Sequence, residues 1–253
     1  MVLDQFSLKG KVALVTGSSR GLGAGIALAL AEAGAKVALH GLRPVPQATI
    51  ARIAGTGAAH LELEGDVSRK DVCDELVERT AGHFGTIDIL VNNAGIIRRA
   101  PAVEHADDDW QAVIDTNLTS VFRLTKAAGR HMLARGDGKI INLASLLTFQ
   151  GGITVPSYAA AKGGVGQLTK AFANEWAARG VNVNAIAPGY METDNTEALR
   201  GNPERARQIL ERIPAGRWGC GEDLAGAAVF LASRASDYVH GHVLVVDGGW
   251  LAR

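Results

Sequence analysis

The 253-residue chain has only two cysteines, 5% aromatic residues and no net formal charge, with 26 Lys and Arg against 26 Asp and Glu. Each shortage excludes something. Cys73 and Cys220 are too few for a disulfide framework and form no C-x-x-C pair, which points to a reducing cytoplasm. A neutral chain lacks the surplus of cations that a phosphate backbone demands, so no nucleic-acid partner is expected. No apolar run approaches the roughly 20 residues of a membrane span. The opening Met1-Val2-Leu3-Asp4-Gln5 lacks the basic and apolar blocks of a signal peptide, so no membrane partner is expected. The seven histidines are scattered without an H-x-x-x-H pair, and no metal is expected. His240 and His242 read as ordinary strand or turn residues.

What is abundant is apolar residues, at 47%, and glycine, at 31 positions. The length suits one large α/β domain or two small ones and buries a substantial core. Short apolar runs alternate with longer amphipathic stretches. Strands are expected near 11–15, 37–39, 59–64, 87–91, 139–143, 181–186 and 243–246. Helices are expected near 21–33, 47–54, 69–82, 107–116, 119–135, 157–179 and 222–233, with a break near Asn117. Gly34 ends the first helix as a C-cap would, and Arg43-Pro44-Val45-Pro46 interrupts the chain after the second strand. The alternation predicts an α/β fold: a doubly wound, parallel, seven-stranded sheet with helices on both faces. No linker divides it, so residues 1–253 are expected to form a single domain. Residues 188–219 mix Gly, Pro and charge and are expected to form a substrate loop or lid.

Thr16-Gly17-Ser18-Ser19-Arg20-Gly21-Leu22-Gly23 joins the first strand to the first helix. Glycine allows turns closed to other residues and lets the backbone approach a ligand. The helix start that follows offers free N–H groups and a positive dipole end, a site for a pyrophosphate. A plain turn at a strand–helix junction is the bland alternative.

The T-G-x-x-x-G-x-G spacing resembles the short-chain dehydrogenase/reductase family. Six further motifs follow in family order: Asp66-Val67, Asn92-Asn93-Ala94-Gly95, Asn117, Ser145, Tyr158-x-x-x-Lys162 and Pro188-Gly189, with Thr193 beyond. The resemblance spans essentially the whole chain. It implies a Rossmann-type dinucleotide-binding oxidoreductase with NAD(P) as cofactor. It implies cofactor contacts at Gly17, Ser19, Arg20, Gly21, Leu22, Gly23, Arg43, Asp66, Val67, Asn93, Ala94, Gly95, Tyr158, Lys162, Pro188, Gly189 and Thr193. It also implies a catalytic set of Asn117, Ser145, Tyr158 and Lys162, with Asn117 anchoring a proton-relay water.

The chemistry of that set can be argued from the side chains. Hydride transfer to or from an alcohol needs a group that takes or gives the hydroxyl proton. A tyrosine does so only if its pKa, about 10, falls towards working pH. A nearby ammonium favours the phenolate. Tyr158 and Lys162 are four residues apart on one expected helix and share a face. Ser145 can hydrogen-bond the substrate oxygen. For cofactor choice, an acidic residue after the second strand would bind the ribose hydroxyls of NAD and repel the 2′-phosphate of NADP. Here Leu39-His40-Gly41-Leu42-Arg43 has no carboxylate, with Gly41 at the family's aspartate position. Arg20 and Arg43 could meet a 2′-phosphate, which leans the expectation to NADP.

A narrower resemblance lies mainly in the second half. Asn92 through Arg99, Ser145 through Gly152, Ala187-Pro188-Gly189-Tyr190-Met191, Asn195-Thr196, Ile213 through Gly219 and Val246 through Arg253 are similar to the family's sugar-acid dehydrogenases. That implies a small-molecule sugar-acid substrate. Arg98, Arg99 and Arg217 are candidates for its carboxylate, since arginine offers a fork of donors. Gln150, Tyr190 and Asn195 join Ser145 and Tyr158 as further candidate contacts. The resemblance also implies a homotetramer, with the long helix at 157–179 and the C-terminal strand with its Trp250 tail as subunit contacts. A 3-oxoacyl-thioester reductase and a catalytically silent dinucleotide sensor are the alternatives.

Overall fold

A computed structural model describes residues 1–253. Its strands are β1 Val12–Val15, β2 Lys36–Gly41, β3 His60–Glu64, β4 Ile89–Asn92, β5 Gly138–Leu143, β6 Val181–Pro188 and β7 Val243–Val246. They form one sheet in the order β3-β2-β1-β4-β5-β6-β7, every pair parallel. The direction of winding reverses between β1 and β4. A crevice opens at that point outside the carboxyl ends of the strands, where such sheets bind ligands.

The helices are α1 Gly21–Glu32, α2 Gln47–Ala54, α3 Lys70–Phe84, α4 Asp107–Ile114, α5 Ser120–Arg135, α6 Pro156–Trp176, α7 Glu197–Arg200, α8 Pro203–Arg212 and α9 Ala225–Ala232. Side chains alternate across each strand. In β1, Ala13 and Val15 join Ile26 and Leu30 of α1 and Leu231 of α9 on one face. Leu14 joins Leu76 of α3, Met132 of α5 and Trp176 of α6 on the other. Burial on both faces explains why central strands such as β1 read as unbroken apolar runs.

Three expectations need adjustment. The two middle helices do not break at Asn117. A π-helical turn over Asp115–Thr119 carries the backbone continuously from α4 into α5. The expected 222–233 helix opens as a 3₁₀ turn, Gly221–Leu224, before α9. Trp250 is not an exposed tail residue within the chain. It is 5% exposed, packed on Leu146, Ile209 and Ile213, with the Arg212 guanidinium 4.0 Å above its ring. A cation over an indole face is attracted by the ring quadrupole, and the surrounding aliphatics supply the rest of the burial. The 188–219 segment thus owns a small core, built from α8 and the C-terminal tail, rather than being an open loop.

Candidate active site

The glycine loop is shaped by the turn after β4. Thr16 Oγ1 accepts from the N–H groups of Asn93 and Ala94, at 3.1 and 3.2 Å. Asn93 Nδ2 donates to the carbonyls of Thr16 and Gly17, both at 2.9 Å. Gly17 has φ +63°, and a Cβ there would sit 2.8 Å from Ala94 Cα. A Cβ on Gly23 would run into the Gly17 carbonyl and Asn93. The glycines are therefore needed for turn and close approach alike. No side chain caps the start of α1, whose N-cap is Arg20. Its N-terminal N–H groups remain suited to an anion, so these residues fit a dinucleotide pyrophosphate. Thr193 lies over Gly21, its methyl 3.8 Å from where a Cβ would be. Asn93 braces this loop from below.

Arg20 extends to Asp194, 2.8 Å away, in an exposed ion pair. Arg43 is exposed beside the end of β2. A Cβ on Gly41 would collide with the Arg43 carbonyl. Asp66 is exposed, its Oδ1 accepting from the Ser68 N–H at 2.9 Å, and Val67 is buried. At the end of β6, the Gly189 N–H donates to the Val246 carbonyl at 2.9 Å, and Gly189 passes so close to Asp247 that no side chain fits.

Asn117 is fully buried. Its Oδ1 accepts from the Ile96 N–H and its Nδ2 donates to the Ile96 carbonyl, both at 2.8 Å. This two-point clamp fixes the segment that runs from Gly95 to Arg99. Ser145 caps the 3₁₀ turn Leu146–Thr148, accepting from the Leu147 N–H at 3.2 Å. Its hydroxyl lies close enough to the Tyr158 phenol to pull the phenol's pKa down. Pro156 sits in the first turn of α6, where its fixed φ and missing N–H do no harm. The neighbouring Ser157 is fully buried against His105 Nε2 at 3.0 Å, anchoring the start of the helix that carries Tyr158.

Lys162 is buried, with its ammonium donating to the Leu143 carbonyl and lying 5.6 Å from the Tyr158 ring centre. Burial drives its pKa down to about 8. The Tyr158 pKa is raised by burial, against the opposing pull of the Ser145 hydrogen bond and the Arg99 guanidinium. The expected lowering by Lys162 is therefore not the balance struck by the protein alone. Removal from water outweighs it, and the cation with a resolved pull on the phenol is Arg99.

The candidate substrate residues separate clearly. Arg98 is turned to Asp109, 3.1 Å away. Arg217 is held bidentately by Asp223 at 2.6 and 2.7 Å. Arg99 pairs with no carboxylate, donates only to the Asn195 carbonyl, at 3.3 Å, and lies within electrostatic reach of Tyr158. Gln150 is half-buried in the segment between Ser145 and α6. The Asn195 side chain is exposed. Tyr190 packs edge-on to Trp218 and against Trp250, with ring centres 5.6 and 4.6 Å apart, inside the small core under α8. Sequence reasoning passed over two structural residues here. Thr16 was visible only as the head of the glycine motif. His40 carried no signal at all, since its partners come from two other segments of the chain.

The family model described as Enoyl-(Acyl carrier protein) reductase matches residues 17–251. The chain is 54% identical over 255 residues to 2-dehydro-3-deoxy-D-gluconate 5-dehydrogenase of Escherichia coli (strain K12), covering 100% of both chains. A crystal structure from Agrobacterium tumefaciens, provisionally described as a 2-deoxy-D-gluconate 3-dehydrogenase with bound NADP, is 56% identical. It superposes with a TM-score of 0.93 over 99% of this chain and 100% of that one. A gluconate 5-dehydrogenase from Burkholderia cenocepacia, in complex with NADP and tartrate, is 42% identical with a TM-score of 0.94 and full coverage of both chains.

Proposed function

The chain belongs to the short-chain dehydrogenase/reductase family, and from that premise we propose that it oxidises or reduces a sugar acid of the gluconate series at a secondary alcohol or ketone. The reaction type is that of 2-dehydro-3-deoxy-D-gluconate 5-dehydrogenase or 2-deoxy-D-gluconate 3-dehydrogenase. The glycine loop and the start of α1 would hold a nicotinamide dinucleotide, which would supply the hydride chemistry. Tyr158 moves the hydroxyl proton, Ser145 orients the oxygen, and Lys162 stabilises the phenolate from the same helix face. Asn117 is the fourth member, holding the Gly95–Arg99 segment in place beside them.

One observation carries the sugar-acid reading. Of three candidate arginines, two are committed to carboxylates of the protein, and Arg99, paired with none, lies within electrostatic reach of Tyr158. A carboxylate held by Arg99 places a secondary hydroxyl of the same small molecule at the phenol. The segment 188–219 lies on the Arg99 side, where the Asn195 carbonyl accepts from its guanidinium. A silent dinucleotide sensor would have no use for the Ser145–Tyr158–Lys162 arrangement. A thioester reductase would have no use for a cation at Arg99.

NADP is the preferred cofactor in this reading. No carboxylate stands at the end of β2, Arg43 is uncommitted there, and two of the similar structures carry NADP. Arg20, paired with Asp194, is the weaker candidate for the 2′-phosphate. No helix is long and apolar enough to cross a membrane, and two unpaired cysteines suit a reducing compartment.

The test is absorbance of the reduced nicotinamide with NADH or NADPH and three carbonyl substrates: 2,5-diketo-3-deoxygluconate, 5-ketogluconate and an acetoacetyl thioester. Turnover of a sugar acid, falling ~10²–10⁴-fold in Tyr158→Phe, is expected. Turnover of the thioester alone would overturn the substrate assignment.

A further inference from the structure

His40, the penultimate residue of β2, lies beneath the glycine loop and is 2% exposed. All four of its hydrogen-bonding atoms are engaged. Its main-chain N–H donates to Ser18 Oγ at 2.9 Å, and its carbonyl accepts from the Ser18 N–H at 2.8 Å. Nδ1 accepts from the Gly17 N–H at 3.2 Å, and Nε2 meets the Gly65 carbonyl at 3.0 Å. The tautomer follows from the partners. A backbone N–H only donates and a carbonyl only accepts, so the proton is on Nε2 and Nδ1 is bare.

These bonds link two segments that are far apart in sequence. Gly17 opens the phosphate-binding loop. Gly65 immediately precedes Asp66 and Val67, on the adenine side of the crevice, and its own N–H donates to the Gly41 carbonyl at 3.1 Å. Gly65 has φ +157°, and a Cβ there would press on Val72 at 2.5 Å, so that turn has little room to adjust. One imidazole thereby sets the spacing of both walls of the dinucleotide site.

We propose that His40 is a positioning residue for the dinucleotide: its neutral ring holds the Gly17 amide and the Gly65 turn in register, and its protonation uncouples them and weakens cofactor capture. A proton on Nδ1 would face the Gly17 N–H, donor against donor, and one of the two must move. The inference rests on the dinucleotide site and is independent of which substrate the enzyme takes.

The surroundings fix the direction of the pH response. Burial disfavours the imidazolium and holds the pKa below its ordinary value, against the opposing effects of the Gly65 carbonyl and the Asp66 carboxylate. The glycine loop adds only the hydroxyls of Ser18 and Ser19, since Arg20 is turned to Asp194. On β3, Leu63 is the register partner of His40. From α3, the buried Cys73 thiol donates to the Val67 carbonyl, and burial pushes its pKa up to about 11, so it stays neutral. The coupling is therefore intact at neutral pH and is lost below the ordinary histidine range of about 6.5.

The experiment is direct NADPH binding, followed by nucleotide fluorescence without substrate, for the full-length protein, His40→Leu and His40→Asn between pH 8 and pH 5. Asparagine keeps an acceptor for Gly17 but cannot take up the proton. At pH 8 the leucine variant is expected to bind roughly tenfold more weakly, and the asparagine variant within about threefold of wild type. The affinity ratio of wild type to His40→Asn cancels titration of the nucleotide phosphates, and it should fall about tenfold from pH 7 to pH 5. A ratio that stays constant, or leucine binding as tightly as histidine, overturns the proposal. Should the variants fail to fold, hydrogen exchange of the wild-type Gly17 amide decides it. Protection lost on acidification supports the coupling, and protection kept to pH 5 overturns it. Wild type that binds no NADPH at pH 8 would overturn the dinucleotide site itself.

Discussion

Arg98 and Arg99 are adjacent in sequence, both exposed, and differ only in where their side chains end. Arg98 is tied to Asp109 on α4, while Arg99 crosses to Asn195 and lies within electrostatic reach of Tyr158. Arg99→Ala is expected to raise KM for the sugar acid about tenfold or more, with a smaller effect on kcat. Arg98→Ala should leave KM within about threefold, as exposed pairs of this kind contribute little. Steady-state kinetics on the two variants separates them. Lys162 makes a different point at the same scale. Its pKa is about 8 when folded and 10.5 in the unfolded reference. In the pH window between those values the unfolded chain holds more protons, so stability rises with pH there and the full penalty remains below 8. Lys162→Met should abolish turnover and stabilise the cofactor-free protein at pH 7, by up to about 3 kcal/mol. Urea melts across pH 7–10.5 would show a rise for wild type that the variant lacks. The residue is thus kept against stability, for chemistry.

Among the elements, β2 shows how closely backbone fit and specificity are joined. Its last residue, Gly41, stands where an acidic residue would select NAD. The Arg43 carbonyl occupies the space of a Cβ, and Ser19 Cβ is 3.4 Å away. Gly41→Asp is therefore expected to lower stability by roughly 1–3 kcal/mol, through displacement of the Arg43 turn. Thermal melting should show a drop of several degrees. A variant as stable as wild type would mean that the turn yields freely. The π-helical turn at Asp115–Thr119 is the other element with a purpose. It turns Asn117 inward to reach both polar groups of Ile96, and wide turns of this kind occur often at functional sites. Element positions were legible in the sequence because the central strands are buried on both faces, which makes β1 and β4 apolar runs, while β3 alternates Leu with Glu at the sheet edge. The exact ends were less so. α3 runs to Phe84 because Gly85 provides its left-handed cap, and β2 extends to Gly41 because β3 pairs with it that far.

For the whole molecule, an apolar groove of about 430 Å³ lies between α5 and α6, lined by Leu118, Phe122, Gly164, Gln167, Leu168 and Ala171. Phe122 is 42% exposed and stacks on Phe172, ring centres 6.1 Å apart. The last strand, β7, is only half-buried along its length despite being Val-Leu-Val-Val. The groove and the exposed side of β7 are two unpartnered apolar surfaces that suit the contacts of a homotetramer, the assembly we propose. Sedimentation velocity on Phe122→Glu is expected to show a smaller species than wild type, with the fold intact by circular dichroism. A wild-type monomer would overturn the tetramer.

The sequence by itself determined the layers, the order of helices and strands, and the presence of a glycine loop, a serine, a tyrosine and a lysine in a recognisable order. These are local or periodic signals: apolar runs of strand length, turn glycines, and two residues four apart on one helix. Only the tertiary structure decided which arginine is left without a carboxylate partner, where Trp250 goes, and what His40 does. Arg98 and Arg99 differ through Asp109 and Asn195, which lie 11 and 96 positions away from their respective partners. Trp250 is buried by residues of α8 and the Ser145 turn. His40 is defined by Gly17 and Gly65, 23 and 25 positions distant. Hydrogen bonds and ion pairs have no periodicity along a chain, so their partners emerge only when the fold closes.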